Sequence, residues 1–248
     1  MENPSYIVLS HQSGLRRQME VIANNLANMS TNGFKAERLM FTEYMVSKAG
    51  NPQTSGNASR ISFVGQAGTY SDHREGPLQS TGNQLDMAIA GPGYFTVETP
   101  GGPRYSRDGR FELDGQGRIV NREGLVVLGR GGQALTVPQG ATKVEVSNSG
   151  RITSDKGDVG ELAVVKFHSD NALRKVGGNL FETDAAPQPV DATTRVQQNM
   201  IEASNVQSIF EISNMIELQR RYQASQRLLE AEHERARTAI QKLTRVSG

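Results

Sequence analysis

The stretch SNVQSIFEISNMIELQRRYQASQRLLEAEHERARTAIQKL, Ser204 to Leu243, carries a long helical repeat. It opens on a Ser-x-x-Gln capping box, Ser204 with Gln207, in which hydroxyl and amide satisfy backbone groups left without partners at a helix start. Ser208 and Glu211 offer a second box four residues on. Met215, Leu218, Tyr222, Ser225, Leu229, Glu232, Ala236, Ala239 and Leu243 then follow at steps of three and four, with Ile209, Ile212 and Ile216 widening the stripe at its start. The spacing predicts one long amphipathic helix. Its outer face, Glu230, Glu232, Glu234, Arg235 and Arg237, alternates in sign and suits water. A seam holding Ser225, Glu232 and two alanines suits close packing against several neighbours rather than a tight two-stranded coiled coil. An intramolecular helical hairpin remains the alternative.

A second helix is predicted at the other end of the chain. Asn3 and Pro4 fit an N-cap and first helical position, and Val8, Gln12, Leu15, Met19, Ile22, Leu26 and Met29 again step by four and three. Asn32 and Gly33 tolerate positive φ and end it. The two helices lie nearly the whole chain apart, so they pair either by closing a very long loop or with other copies. Within the first helix, Asn24, Asn25 and Asn28 are poor choices for a solvated helix, because asparagine competes for backbone hydrogen bonds. They are read as meeting partner groups at a buried contact, with a frayed helix end as the alternative.

Composition narrows the function. Of 248 residues, 36% are hydrophobic and 6% aromatic, a lean interior for this length. The 27 basic and 26 acidic residues are spread without a basic block, so no nucleic-acid partner and no anionic membrane surface is indicated. Without cysteine there are no disulfides or thiolate metal sites. The first residues lack an apolar core and cleavage pattern, and nowhere do eighteen apolar residues run together, so neither a cleaved signal nor membrane insertion is expected.

Between the helices the periodicity changes. Residues 47–60 are rich in Ser, Gly and Asn and read as a flexible connection. Short runs follow at 61–64, 86–90, 94–99, 111–114, 118–121, 125–128, 134–137, 143–147 and 161–167. Turn clusters such as Asp114-Gly115, Asn148-Ser149-Gly150 and Asp155-Lys156-Gly157 separate them. Phe111 with Leu113, Val144 with Val146 and Leu162 with Val164 alternate as in a half-buried sheet. The expected fold class is α+β: a discontinuous, coiled-coil-like helical domain from both termini and an all-β domain, an irregular antiparallel sandwich or barrel. The expected segments are an N-terminal helix in 1–35, an extended connection over 36–75, the β domain over 76–192, and helices over 193–248. Residues 184–193 read as the return linker, followed by a short helix at about 194–203 and a bend at Ser204 and Asn205.

No constellation for catalysis is found. Gly91-Pro92-Gly93 leads into a strand, so no helix N-terminus follows to hold a pyrophosphate. His11, His73, His168 and His233 stand apart from one another, without helical zinc spacing. Asp108 and Asp114 lie in Gly turns without the rest of a calcium loop. Asp86 is read as a hydrogen-bond acceptor in a turn or between strands rather than a catalytic acid, and Tyr105 and Tyr222 as packing residues. No enzyme activity, small-molecule substrate, cofactor or metal is expected.

The segment ANNLANMSTNGFKAER, ending at Arg38, resembles the N-terminal signature of the rod and hook family of bacterial flagellar axial proteins. MIEASNVQSIFEISNMIELQRRYQASQRLL resembles that family's C-terminal signature through Glu202, Ser204, Asn205, Val206, Arg220 and Tyr222. The central segment is similar through Thr81-Gly82-Asn83, Leu85-Asp86, Ala88-Ile89, Gly93-Tyr94-Phe95 and Arg107-Asp108-Gly109, departing at Pro92 and Ser106. The resemblance implies a structural subunit of the periplasmic basal-body rod, in its proximal part, exported without a cleaved signal. Implied partners are copies of itself, other rod proteins and the type III export apparatus. The terminal helices, about 3–30 and 205–244, would form an inner tube with neighbours, the β domain lying outside. The interface would hold Leu15, Met19, Ile22, Asn24, Asn25, Leu26, Asn28, Ser204, Asn205, Met215, Leu218, Tyr222, Leu229 and Leu243. The alternatives are a distal rod subunit, or a secreted enzyme or adhesin whose helices serve as an oligomerisation stalk.

Overall fold

The computed structural model of the chain describes residues 3–47 and 60–246. Two compact units emerge, one from Met1–Ala27, Glu37–Tyr70 and Gln207–Gly248, the other from Asn28–Ala36 and Ser71–Val206. The first contains helix α1 (Asn3–Ala27), helix α2 (Ser208–Val246) and a ribbon of strands Glu37–Ser47 and Arg60–Ser71. Most of the connection expected at 47–60 lies outside the described residues. Neither capping box forms at α2. Ser204 Oγ accepts from the Val206 amide at 3.2 Å, two residues on and before the helix. The Gln207 carbonyl instead accepts the first helical bond, from the Glu211 amide at 3.1 Å, while the Glu211 carboxylate is buried away from the helix start.

The second unit is β-rich and antiparallel. Its largest sheet has the strand order Arg174–Gly177, Leu180–Glu182, Gly102–Ser106, Tyr94–Thr99, Val164–Lys166, Gln188–Pro189. A three-stranded sheet joins Gly157–Glu161, Arg151–Ser154 and Val144–Val146, and Phe111–Leu113 pairs with Ile119–Asn121. The Asp114 turn closes that hairpin, its carboxylate accepting from the amides of Gln116 at 2.8 Å and Arg118 at 2.9 Å. The run Tyr94–Val97 is buried on both faces. Phe95 and Val97 enter one apolar cluster with Met87, Ile89, Phe111 and Ile119, while Tyr94 enters another with Tyr105, Phe167 and Phe181. Phe95 and Phe111 meet edge to face at 5.2 Å, a geometry that adds to area burial.

Two expectations are corrected here. Residues 194–203 are not a helix: Arg195–Gln198 pairs with Met87–Ala90 and Met200–Glu202 with Leu78–Ser80. Asn199, at φ 61, breaks the run between the two strands, and Val196 and Ile201 are buried. Pairing partners from far along the chain override a local helical signal. Alternation also fails at Leu113, which is 43% exposed although Phe111 is fully buried, because this strand is short and ends at the hairpin turn.

Gly109 marks the tightest approach in the core. A Cβ there would stand 1.6 Å from the Met87 carbonyl oxygen, which cannot yield because the Met87 amide is itself bonded to the Gly109 carbonyl at 2.9 Å. Gly109→Ala is therefore expected to lower the unfolding free energy of the β-rich unit by about 3 kcal/mol, read as a shifted urea midpoint.

Candidate functional site

In the helical unit the sequence places apolar side chains on facing stripes of α1 and α2. Leu15, Ile22 and Leu218 are buried together, with Met19, Met215 and Tyr222 packed around them. These contacts lie within one chain. Ser225 is buried without a hydrogen-bond partner and Leu229 is half-buried, while the side chain of Leu243 lies outside those described. Ile209, Ile212 and Ile216 do not widen this seam: they are 78%, 46% and 45% exposed. At 3.6 residues per turn they project roughly 120–180° away from Leu218. The start of α2 thus carries two apolar stripes, one packed and one open.

The asparagines separate in role. Asn25 is fully buried and binds the backbone of Glu37 as a neighbouring strand would, its Nδ2 donating to the carbonyl at 2.9 Å and its Oδ1 accepting from the amide at 2.8 Å. Asn28 accepts at Oδ1 from the Thr31 hydroxyl at 3.2 Å in the turn after α1. Asn24 is exposed and Leu26 half-buried. Arg38 Nη1 stands 3.1 Å from Oε1 of the buried Glu211, joining the first strand of the ribbon to α2.

In the β-rich unit the three signature segments meet around one carboxylate. Glu202 is 1% exposed; its Oε1 accepts from Lys35 Nζ at 2.6 Å and from the Gly76 amide at 2.9 Å, and its Oε2 accepts from Arg107 Nη1 at 3.2 Å. Lys35 also donates to the Arg74 carbonyl at 2.8 Å, and Arg107 to the carbonyls of Ile89 at 3.2 Å and Gly91 at 2.9 Å. Burial pulls the Lys35 ammonium below the ordinary lysine value against the opposing pull of Glu202. Arg107 also lies over the Tyr94 ring at 5.2 Å, and the Tyr94 hydroxyl shares a 2.8 Å hydrogen bond with His73 Nδ1. Burial lowers His73 below the usual histidine value and raises Tyr94. Ser204 is buried nearby in sequence, and the half-buried Asn205 accepts from the Ala36 amide at 2.8 Å while donating to the carbonyls of Asp72 at 2.7 Å and Arg74 at 3.0 Å.

Sequence reasoning placed Lys35, Arg107 and Glu202 in motifs but assigned them no role. Two cations and an anion in three separate motif segments were the available signal. Chemically the arrangement holds shape. Glu202 is enclosed by donors, Asp86 is buried and accepts from Asn83 Nδ2 at 3.0 Å, and no group of acidic or histidine side chains suited to a metal occurs among the described residues. No helix of the described residues is long and apolar enough to cross a membrane.

The chain thus combines a pair of helices packed on each other with a β-rich unit whose three signature segments are held by a buried ionic cluster. Residues 9–35 match the family described as flagella basal body rod protein, residues 88–154 the flagellar hook protein FlgE/F/G D1 domain, and residues 197–242 the flagellar basal body rod FlgEFG protein C-terminal family. The flagellar basal-body rod protein FlgF of Caulobacter vibrioides is 36% identical over the full length of both chains. FlgG of Bacillus subtilis is 30% identical over 90% of this chain and 92% of its own, and FlgF of Rhizobium meliloti 30% over 90% of each. The chain belongs to the flagellar basal-body rod protein family, and its role is structural rather than enzymatic.

Two measurements follow from the site. Asn25→Ala leaves the amide and carbonyl of Glu37 without these partners and is expected to cost about 2–4 kcal/mol, seen as loss of helical signal at lower urea. Burial raises the Asp108 carboxyl to about 6. Its folded value lies above the unfolded one, so the stability it contributes is full below about pH 4 and lost as pH rises through about 6. Asp108→Asn keeps an acceptor for the Arg110 amide, now at 3.0 Å. It should flatten that slope and raise stability at pH 7 by about 1–3 kcal/mol in unfolding curves taken across the range.

Proposed function

We propose that this chain is a subunit of the proximal part of the flagellar rod, exported by the flagellar type III system without a cleaved signal and polymerised through its terminal helices into the periplasmic drive shaft. The full-length likeness to a FlgF supports the proximal position. A distal, FlgG-type position is the second reading, favoured by relatives matched over nine-tenths of the chain. In this reading helices α1 and α2 supply the coiled-coil-like part that polymerises, and the β-rich unit, an irregular sandwich or barrel that takes in residues 195–202 as strands, lies outside it. Copies of this chain and other rod proteins are its neighbours, and the export apparatus handles it before assembly. Locating the tagged protein in purified basal bodies separates the proximal from the distal position.

The observation that carries the assembly reading is the open stripe of Ile209, Ile212 and Ile216. Three isoleucines at helical spacing on one exposed face are costly for a solitary subunit and serve one that a neighbour covers. Heterologous contacts of this kind need not close and continue as a helical array. Leu15, Met19, Ile22, Met215, Leu218 and Tyr222 then act in assembly by fixing the helix that presents the stripe. Asn24, Asn25, Leu26, Asn28, Ser204, Asn205, Leu229 and Leu243 complete the proposed assembly region.

Paired substitutions test this division. Leu218→Asp puts an unpaired carboxylate into the seam and is expected to destabilise the helical unit by about 3 kcal/mol or more. Ile212→Asp should change monomer stability by no more than about 0.5 kcal/mol, yet leave cells without complete rods or motility. Normal swimming with Ile212→Asp would remove the stripe from the assembly interface.

A further inference from the structure

The ionic cluster has an asymmetry in how it is built. Glu202 and Arg107 both come from the continuous part of the β-rich unit, Ser71–Val206, whereas Lys35 comes from the separate segment Asn28–Ala36, which follows α1 directly in the chain. Without that segment Glu202 still has Arg107 and the Gly76 amide, one carboxylate against one guanidinium. Arg107 likewise keeps the carbonyls of Ile89 and Gly91. Lys35 therefore enters as a second cation at a carboxylate that is already paired.

The rest of the segment is attached in the same manner. Phe34 is 2% exposed but belongs to neither apolar cluster of the unit; the Lys175 ammonium sits 3.7 Å from its ring centroid. The Gly33 amide donates to the Glu202 carbonyl at 2.7 Å, the Asp72 amide to the Ala36 carbonyl at 2.7 Å, and Asn179 Nδ2 to the Asn32 carbonyl at 2.7 Å. Gly33 has φ 65, and a Cβ there would stand 2.4 Å from the Arg107 carbonyl carbon and the Asp108 nitrogen. The segment lies against a finished backbone surface, fastened at its edges by polar groups.

We propose that residues 28–36 form a clasp that closes on an already folded β-rich unit, with the Glu202–Arg107 pair as its preformed receptor. The β-rich core then folds without the clasp, and residues 28–36 are fixed on it only when Lys35 reaches Glu202. Substitutions on the clasp release the clasp alone. Substitution of the receptor disturbs the whole unit, because it leaves the 3%-exposed Arg107 without its carboxylate.

Hydrogen exchange of the full chain tests this. In Gly33→Ala the Ala36 amide, bonded to Asn205, should exchange about tenfold faster or more, while the core amides of Val127 and Ile119, bonded to the carbonyls of Ile119 and Leu135, keep wild-type protection. Lys35→Met, which retains the bulk of the side chain, should leave the same core amides unchanged. Glu202→Gln should accelerate clasp and core together. Equal loss of core protection in Lys35→Met would make the segment part of the core and overturn the proposal. An unaltered Ala36 amide in Gly33→Ala would do the same. Should Gly33→Ala unfold the chain outright, retained core protection in Lys35→Met upholds the clasp and its loss there refutes it.

Discussion

The carboxylate of Glu202 is withdrawn from water, and the desolvation of such a group would cost several kcal/mol if it were left alone. Three donors at 2.6, 2.9 and 3.2 Å offset that cost, and they come from Lys35, Gly76 and Arg107, positions that the chain separates widely. An apolar cluster of equal volume could match the stability, but it would accept its partners from many angles. A carboxylate accepts along defined directions, so the three segments are held in one geometry. Asn205 extends this logic next door, since its one amide group binds the backbones of Ala36, Asp72 and Arg74 together. Residues 33–36 and 202–205 are thus held within the β-rich unit by polar, directional contacts.

Much of this was legible in the sequence because helical periodicity is local. Steps of three and four place Leu15, Ile22 and Leu218 on buried stripes whatever the rest of the chain does. Turn clusters were equally readable, as at Asp114, where the side chain closes its own hairpin. What escaped depends on partners remote in sequence. Arg195–Gln198 and Met200–Glu202 become strands because Met87–Ala90 and Leu78–Ser80 offer edges to them, and nothing within 194–203 announces those edges. The ionic cluster escaped for the same reason: Lys35 and Glu202 each stand in a recognisable motif, but their 2.6 Å contact spans most of the chain. Asn25 sits between these cases. Its poor fit to a solvated helix signalled a buried contact, while its partner, the Glu37 backbone, could be named only from the fold.

Helix α2 shows how one periodic pattern can hold two functions. Read as a sequence, the isoleucines at 209, 212 and 216 extend a single broad stripe. In the structure Met215, Leu218 and Tyr222 are packed while those isoleucines face outward, so the apolar surface is divided between the chain's own α1 and a separate open face. A helix whose apolar residues all served its own fold would show one apolar stripe and a polar face opposite it. The open stripe lies in the first turns of α2, close in sequence to Ser204 and Asn205, whose contacts fix the preceding segment. An open apolar stripe is useful in assembly only if its position is reproducible from copy to copy, because a helical array repeats any error in one contact at every subunit. The directional contacts around Glu202 and Asn205 and the two-faced start of α2 answer the same demand, each within its own unit: the former hold remote segments in one geometry, and the latter keeps one apolar face packed on α1 while the other stays open.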